Sequence, residues 1–571
     1  MRNINWKKII LTLTSIFLLS IGYASLTFAA DLSKDVFIID DQVFTNLSQN
    51  SSGNGWSWNA SKNTLTIDGY NGGPIMYTLN QKSTKPFKLV VKNNNTINYD
   101  TDERMCPALK PNQSCENSSG YKCAFCQRQN GGFGGILTKN CQLQISGGGT
   151  IKIKSNGTNT IYADDALIQN VTITSDSSSD GGNFNNLIMK NCTWNIDAVR
   201  AIGNKNATFE NCTISYKNTR PTHHDHWASG GNTTFKNCTM NITMGAIPLD
   251  SESMYGSFFV GNAQYIFDNT TVNIKGGPHN NLENSQGLCD VGYPALYHSS
   301  ITIKNNSKFF LNANIDSAFS AFKINISDSS INGVCSGRLI AAIICDITNS
   351  KIDVTCPNEM EAGCVFVVQK LNIKNSKIKV KTPCDMWGKA IEDPDYEKGF
   401  TLVDTELELE GKVGKFFDSR KLNYTTPEKW LVYLDGVQSK LSVNSPELSL
   451  LHKKIVIKVN ENYVPSPSKP TTPGGTNSTQ VGNQNSGNDT SSTDQNNESN
   501  DANLESSDNN QELSNQSHDK DKSKETVKTE KNKNKTPLPI IIVIVSVIAV
   551  GAGIVTAVFI YKKKKEMLNQ D

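Results

Sequence analysis

Three stretches of this chain repeat one pattern: Leu187 to Ile196 (LIMKNCTWNI), Ala207 to Tyr216 (ATFENCTISY) and Thr233 to Ile242 (TTFKNCTMNI). In each, apolar and polar residues alternate up to an Asn. A Cys-Thr step follows, and the alternation then resumes. Period-two alternation marks a strand with one buried face. Asn suits the turn between two such strands, because it tolerates left-handed backbone angles and bonds its own backbone. The unit recurs around Asn140, Asn170, Asn269, Asn305, Asp328, Asn349, Asn375 and Asp404. Spacings of about 20 to 37 residues fit stacked supersecondary repeats. No copy has a helical apolar stripe, and none can bury its few large side chains alone. Stacking would place Leu187, Phe209, Phe235 and Phe267 in one column and Trp194, Ile214, Met240 and Val272 in another. The turn asparagines would form a ladder of amides, each bonding the next. The pattern predicts an all-β fold, a solenoid whose backbone bonds run from coil to coil.

This repeat resembles the right-handed parallel β-helix of pectate lyases and their relatives, which carry such Asn ladders. The resemblance covers 87–410 and is one of fold. Residues 31–86 hold Gly55-Trp-Ser-Trp-Asn59 and a Thr/Leu/Ile alternation from Asn63, bounded by Gly and Asn. They resemble the opening of carbohydrate-binding β-helix proteins on the surfaces of anaerobic Gram-positive bacteria. They are expected to cap an edge that would otherwise invite pairing, with Trp56 and Trp58 packed in that cap rather than stacked on sugar. Residues 411–463 read as a second β cap or a small separate β domain.

The cysteines divide into groups. Cys106, Cys115, Cys123 and Cys126 interrupt the repeat within a polar insertion, 100–130. In a secreted chain disulfides are favoured there, with a zinc site as the alternative. Cys141, Cys192, Cys212 and Cys238 each follow a turn Asn, which predicts a column of buried thiols. Several turn asparagines also read as glycosylation sequons, but an amide within a ladder cannot carry a glycan.

Long excursions leave the repeat at 217–232, 243–263, 275–299 and 381–398, and insertions at one repeat position often build a binding face. They carry Trp227, Tyr255, Tyr293, Tyr297 and Trp387, aromatic rings suited to sugar faces. His223, His224, Asp225 and His226 form the sharpest metal-ligating run. Calcium at the acidic loops is a further expectation, needing six or more converging oxygens. Asp164-Asp165, Asp197 with Arg200, and Arg338 are the features closest to a lyase or hydrolase site. They reproduce no catalytic motif, and Asp164-Asp165 reads as a turn. Phosphate-loop, nucleophile-elbow and zinc-helix motifs are missing from the sequence.

The ends of the chain speak of location. Residues 1–30 combine Lys7-Lys8, an apolar run and Ala29-Ala30, the pattern of a cleaved secretory signal. Residues 464–537 are polar, hold almost no apolar side chains and predict a disordered stalk spanning on the order of 50 Å. Leu538 to Tyr561 is an uncharged apolar run of 24 residues, long enough for a transmembrane helix. Lys562–Lys565 begin a short cytoplasmic tail, 562–571. The plan resembles wall-anchored proteins of Gram-positive bacteria, but Thr536-Pro-Leu-Pro-Ile540 is not a sortase sequence, so the helix is expected to be retained. A net charge of +2 gives no reason to bind nucleic acid. The partners expected are therefore the lipid bilayer and a polysaccharide or host-surface ligand. A tethered lyase or hydrolase and an adhesive stalk with a protein partner are the alternatives.

Overall fold

The computed structural model describes residues 35–40, 42–100, 134–156, 159–219, 227–243, 257–260, 263–275, 287–290, 299–312, 317–335, 338–357, 364–388, 399–412, 420–448 and 452–465. The signal, stalk and apolar run lie outside them, apart from the first two stalk residues. Among the described residues no helix is long and apolar enough to cross a membrane.

Among the described residues the regular elements, apart from one short 3-10 turn, are strands, stacked in parallel from coil to coil in a β-helix arrangement. Each coil contributes to up to three ladders. The first contains Asn183–Lys190, Gly203–Glu210, Trp227–Lys236 and Gln264–Asp268 in succession. The second contains Thr172–Asp180, Thr193–Arg200, Thr213–Lys217, Thr239–Thr243 and Thr271–Lys275. The third is formed mostly by the N-terminal part of the same long strands that build the first, as in Arg338–Thr348 and Cys364–Lys374. Where excursions lengthen the coil, it is a separate short strand, Ser257–Val260 or Gly287–Asp290. The stretches outside the described residues at 101–133, 244–256, 276–286 and 358–363 each come after a second-ladder strand in the chain.

The turn from first to second ladder is the sequence motif itself. Asn170, Asn191, Asn211, Asn237, Asn269, Asn305, Asp328, Asn349, Asn375 and Asp404 all have positive φ, between 41° and 56°. This is the left-handed region that Asn and Asp enter most readily among residues with a side chain. The amide ladder is present: Asn191 Nδ2 donates to Asn170 Oδ1 at 3.2 Å, Asn211 to Asn191 at 3.1 Å, Asn237 to Asn211 at 3.2 Å and Asn269 to Asn237 at 2.9 Å.

Two positions depart from the expected repeat. Asn140 also has positive φ, but it sits where the third ladder bends into the first, and its Nδ2 donates to Leu79 O at 2.6 Å. The turn of that coil is Gly147–Gly149 instead. A Cβ on Gly147 would lie 2.4 Å from Val91 O, so only glycine allows the close approach. Cys141 therefore belongs to a different column from Cys192. The apolar columns shift too. Trp194, Ile214, Met240 and Val272 align as expected, whereas Met189, not Leu187, stands above Phe209, Phe235 and Phe267. Leu187 heads the neighbouring inward column, over Ala207 and Thr233.

Just inside the turns runs a column that the repeat hinted at only through its cysteines. Cys192, Cys212 and Cys238 are buried free thiols. Their Sγ atoms donate to Lys190 O, Glu210 O and Lys236 O at 3.1–3.3 Å. In later coils Thr270, Ser329, Ser350, Ser376 and Thr405 bond the carbonyl two residues back in the same way, at 2.7–3.1 Å. Thiol and hydroxyl thus do one job, closing a carbonyl at a buried bend. The thiols do not titrate alike: the hydrogen bond with Cys212 lowers Cys238, whereas Cys192 and Cys212 are raised. Hydrogen bonding to Cys212 and burial raise Cys192. For Cys212 the bond to Cys192 pulls downward, but the bond to Cys238 and burial outweigh it, leaving the thiol at about 11. Because all three are buried, maleimide should leave Cys192, Cys212 and Cys238 unlabelled in the native chain and label all three in denaturant without reductant. Three unlabelled residues after denaturation would mean disulfides instead.

Both ends of the stack carry antiparallel strands. At the N-terminal end Val36–Ile39 pairs with Gln42–Phe44 and Ile75–Thr78, and Trp56 and Trp58 are buried against Phe37. At the other end Lys454–Val459 pairs with the second-ladder strand Glu406–Lys412 and with Trp430–Leu434. Their buried side chains, Val432, Ile455 and Ile457, continue the solenoid core.

Candidate functional site

Most of the loop residues picked from sequence lie outside the described residues: His223, His224, Asp225, His226, Tyr255, Tyr293, Tyr297 and the cysteines Cys106, Cys115, Cys123 and Cys126. Among the described residues no group of three or more His, Cys, Asp or Glu side chains is placed to hold a metal ion. Trp227 and Trp387 are described by their backbone. Both stand in third-ladder strands, not in the excursions: Trp227 pairs with Phe259, and Trp387 with Phe366. The solenoid uses their backbone as a rung, which the loss of alternation around them concealed.

The acidic candidates are absorbed by the scaffold. Asp164 and Asp165 lie in the strand Asn159–Gln169, not in a turn. Asp164 Oδ1 accepts from Lys139 Nζ at 3.1 Å and from Asn185 Nδ2 at 3.2 Å. Asp165 accepts from Asn186, at 2.7 Å, and Asn206 bonds Asn186 in turn, so a second short amide ladder marks this bend. Arg200 turns away from Asp197 to the buried carboxylate of Asp180. Asp197 is held by Lys217 Nζ, 3.3 Å away, and by the amide and hydroxyl of Thr219.

Among the described residues two concavities stand out. The larger, about 660 Å³, runs along the outside of the turn ladder from Asn306 past Asp328, Asn349 and Asn375 to Asp404. It exists because the turns stack in line and the C-terminal segment, with Thr425, Thr426, Lys429 and Trp430, rises as an end wall. Trp430 is anchored edge-on against Tyr424, with centroids 4.8 Å apart. Tyr424 is fixed by its hydroxyl to Thr405 O at 2.8 Å. Asp404 is tied to the wall through Thr425 N and Oγ1 at 2.8 and 2.9 Å. Lys377 meets Glu406 at 2.7 Å, and that bond and charge hold its ammonium above the usual lysine range. Where an amide donates one N–H and accepts one bond within the ladder, it keeps a second N–H and a second lone pair for solvent or a ligand. The groove thus presents a line of amide and carboxylate side chains at the coil rise of about 4.8 Å, with the indole of Trp430 at its end.

The smaller concavity, about 420 Å³, lies over the second ladder and includes Thr174, Asn195, Ser215 and Asn241, with Lys152, Asp176, Asp197 and Lys217 around them. Sequence reading missed both hollows, since each is assembled from single residues of successive coils. The neighbouring sequence held one signal. In Lys308-Phe-Phe-Leu-Asn312 the alternation fails at Phe310, which faces outward and is 43% exposed. No family model, curated protein or solved structure matches the chain.

Proposed function

We propose that this chain is a secreted, membrane-retained surface protein that binds polysaccharide or a host glycan without turning it over. The observation that carries the reading is the long polar groove along the turn ladder, ending at Trp430. Sugar hydroxyls pair with amides, hydroxyls and carboxylates, and an indole covers the apolar face of a pyranose. An extended glycan advances from one sugar to the next by a step comparable to the coil rise, so successive coils meet successive residues. Binding of this kind is modest at each contact and gains strength along the polymer. The reading includes a right-handed helix of the pectate-lyase kind, signal cleavage after Ala30, a disordered stalk and a helix at 538–561 that keeps the groove outside the cell. It leaves out catalysis because Asp164, Asp165 and Asp197 are engaged by scaffold side chains.

A glycan array probed with the purified full-length chain tests this. Capture of polysaccharides is expected, with no shortened or unsaturated products. Trp430→Ala should weaken capture about three- to tenfold, the range for losing one aromatic contact. Failure to bind any glycan, with retention on a protein ligand, would replace the reading with an adhesive one.

A further inference from the structure

The outward face of the second ladder carries a strip that the groove does not explain. Along it, one residue per coil, stand Asn195, Ser215, Asn241, Asn273, Phe310 and Asn332, aligned by strand register. None is charged. The amide of Asn273 donates to Asn241 at 2.9 Å, so the strip is partly preordered. Its upstream half is the floor of the 420 Å³ hollow. Its downstream half holds Phe310, flanked above and below by Asn273 and Asn332.

An outward Phe in a strand whose neighbours Phe309 and Leu311 already fill the core contributes nothing to that core. A singly exposed ring needs no explanation by itself; what marks Phe310 is its place in an unbroken line of uncharged amide and hydroxyl side chains. Val334, on the adjoining coil and also partly exposed, extends the apolar spot beside the ring. Amides and hydroxyls in line with one exposed ring match the two faces of a pyranose, its equatorial hydroxyls and its C–H surface.

We infer that this strip is a second binding surface for an extended, uncharged glycan, lying along the helix axis with one sugar on Phe310 and others over Asn195–Asn241. The inference rests on the glycan-binding reading above and adds the site and the ligand's charge class to it. The charge class follows from the strip's own neutrality. A polyanion would gain no ion pair on its six positions, and beside the hollow Lys152 and Lys217 are balanced by Asp176 and Asp197.

Affinity electrophoresis of the full-length chain separates the two readings. The gels contain hydroxyethyl cellulose or, on the same backbone with charge added, carboxymethyl cellulose. The wild type should be retarded more by the neutral polymer. Phe310→Ala should lower that affinity three- to tenfold. Phe310→Trp should keep it or raise it. Asn273→Arg should reduce it as well. Both side chains face solvent, so the three variants should keep the parent's thermal midpoint. If Phe310→Ala binds as the wild type does while Trp430→Ala loses retention, glycan binding stands and the strip is not its site. If neither polymer retards the wild type, the strip is not a site for an uncharged extended glycan, while the wider glycan reading is decided by the array. If instead sedimentation shows self-association that Phe310→Ala abolishes, the face joins two copies of the chain, and the glycan assignment is overturned.

Discussion

Replacing Phe235 with Ala should destabilise the solenoid by about 3–5 kcal/mol, the usual cost of deleting a fully buried aromatic side chain. Phe235 has no exposed surface and lies between Phe209 and Phe267, with centroids 5.1 and 5.3 Å away and rings nearly parallel. Phe259 meets it edge-on from the third ladder. The surrounding rungs are fixed by backbone bonds from both neighbouring coils, so the site cannot collapse to fill the void. In a solenoid each coil is supported mainly by its neighbours, which localises the damage. Hydrogen exchange should therefore accelerate most at 207–210, 233–236 and 265–268. Denaturant midpoints should fall for Phe235→Ala and recover in large part for Phe235→Leu. A loss below about 1 kcal/mol would show that the ring stack is not the core its geometry describes, since that is less than a few buried methylenes contribute.

The same coils show how far the sequence could be read. Period-two alternation and the left-handed preference of Asn are local properties, and together they located ten of the turns whose positive φ is observed. They failed where two structures share one local signature. Asn140-Cys141 repeats the turn pattern, yet the backbone there makes a bend inside a longer strand, and glycine takes over the true turn. The column error at Leu187 has a similar origin. Alternation gives the inward face but not the register within it, and a shift by two residues keeps the face while changing the partner. Ser and Thr in the later coils took over the carbonyl-closing role of the cysteines. That equivalence is visible only once the hydrogen bonds of Ser350 and Thr405 are placed beside those of Cys212.

The candidate sites were less legible for a geometric reason. A hollow on a solenoid draws single residues from coils that are 20 to 40 positions apart, so no contiguous motif encodes it. Asn349, Asn375 and Asp404 were read as turn residues, which they are, and they line the groove as well. Phe310 broke a local rule, as Ile188 did in its own strand. The Phe310 strand was otherwise so regular that the breach identifies the position without any structural neighbour. Arg200 misled for the opposite reason. Asp197 is nearer in sequence, but residues on alternating strands meet across coils, and the arginine's partner lies in the preceding one.

That partner, Asp180, makes Arg200→Ala the second substitution with a large expected effect. The Asp180 side chain is 4% exposed and pairs with the Arg200 guanidinium, itself 46% exposed. Removing one member of a buried pair strands the other, and with Arg200 half in solvent the loss should fall near the lower end, about 3 kcal/mol. The pH dependence fixes the mechanism. Burial already raises the Asp180 pKa, and the charge and hydrogen bonds of Arg200 oppose that rise. An acid with a raised folded pKa binds its proton more tightly when folded. Its contribution is most favourable below the unfolded pKa and is lost as pH climbs through the folded one. Without Arg200 the pKa should rise further, so the variant should lose most stability near neutral pH and approach the parent on acidification. Asp180→Asn, neutral at every pH, should flatten that dependence, and the double variant should lose less than the two single losses added. Equal losses at acid and neutral pH would mean that Arg200 acts through packing of its alkyl stem, and the buried charge would then be irrelevant to this corner of the coil.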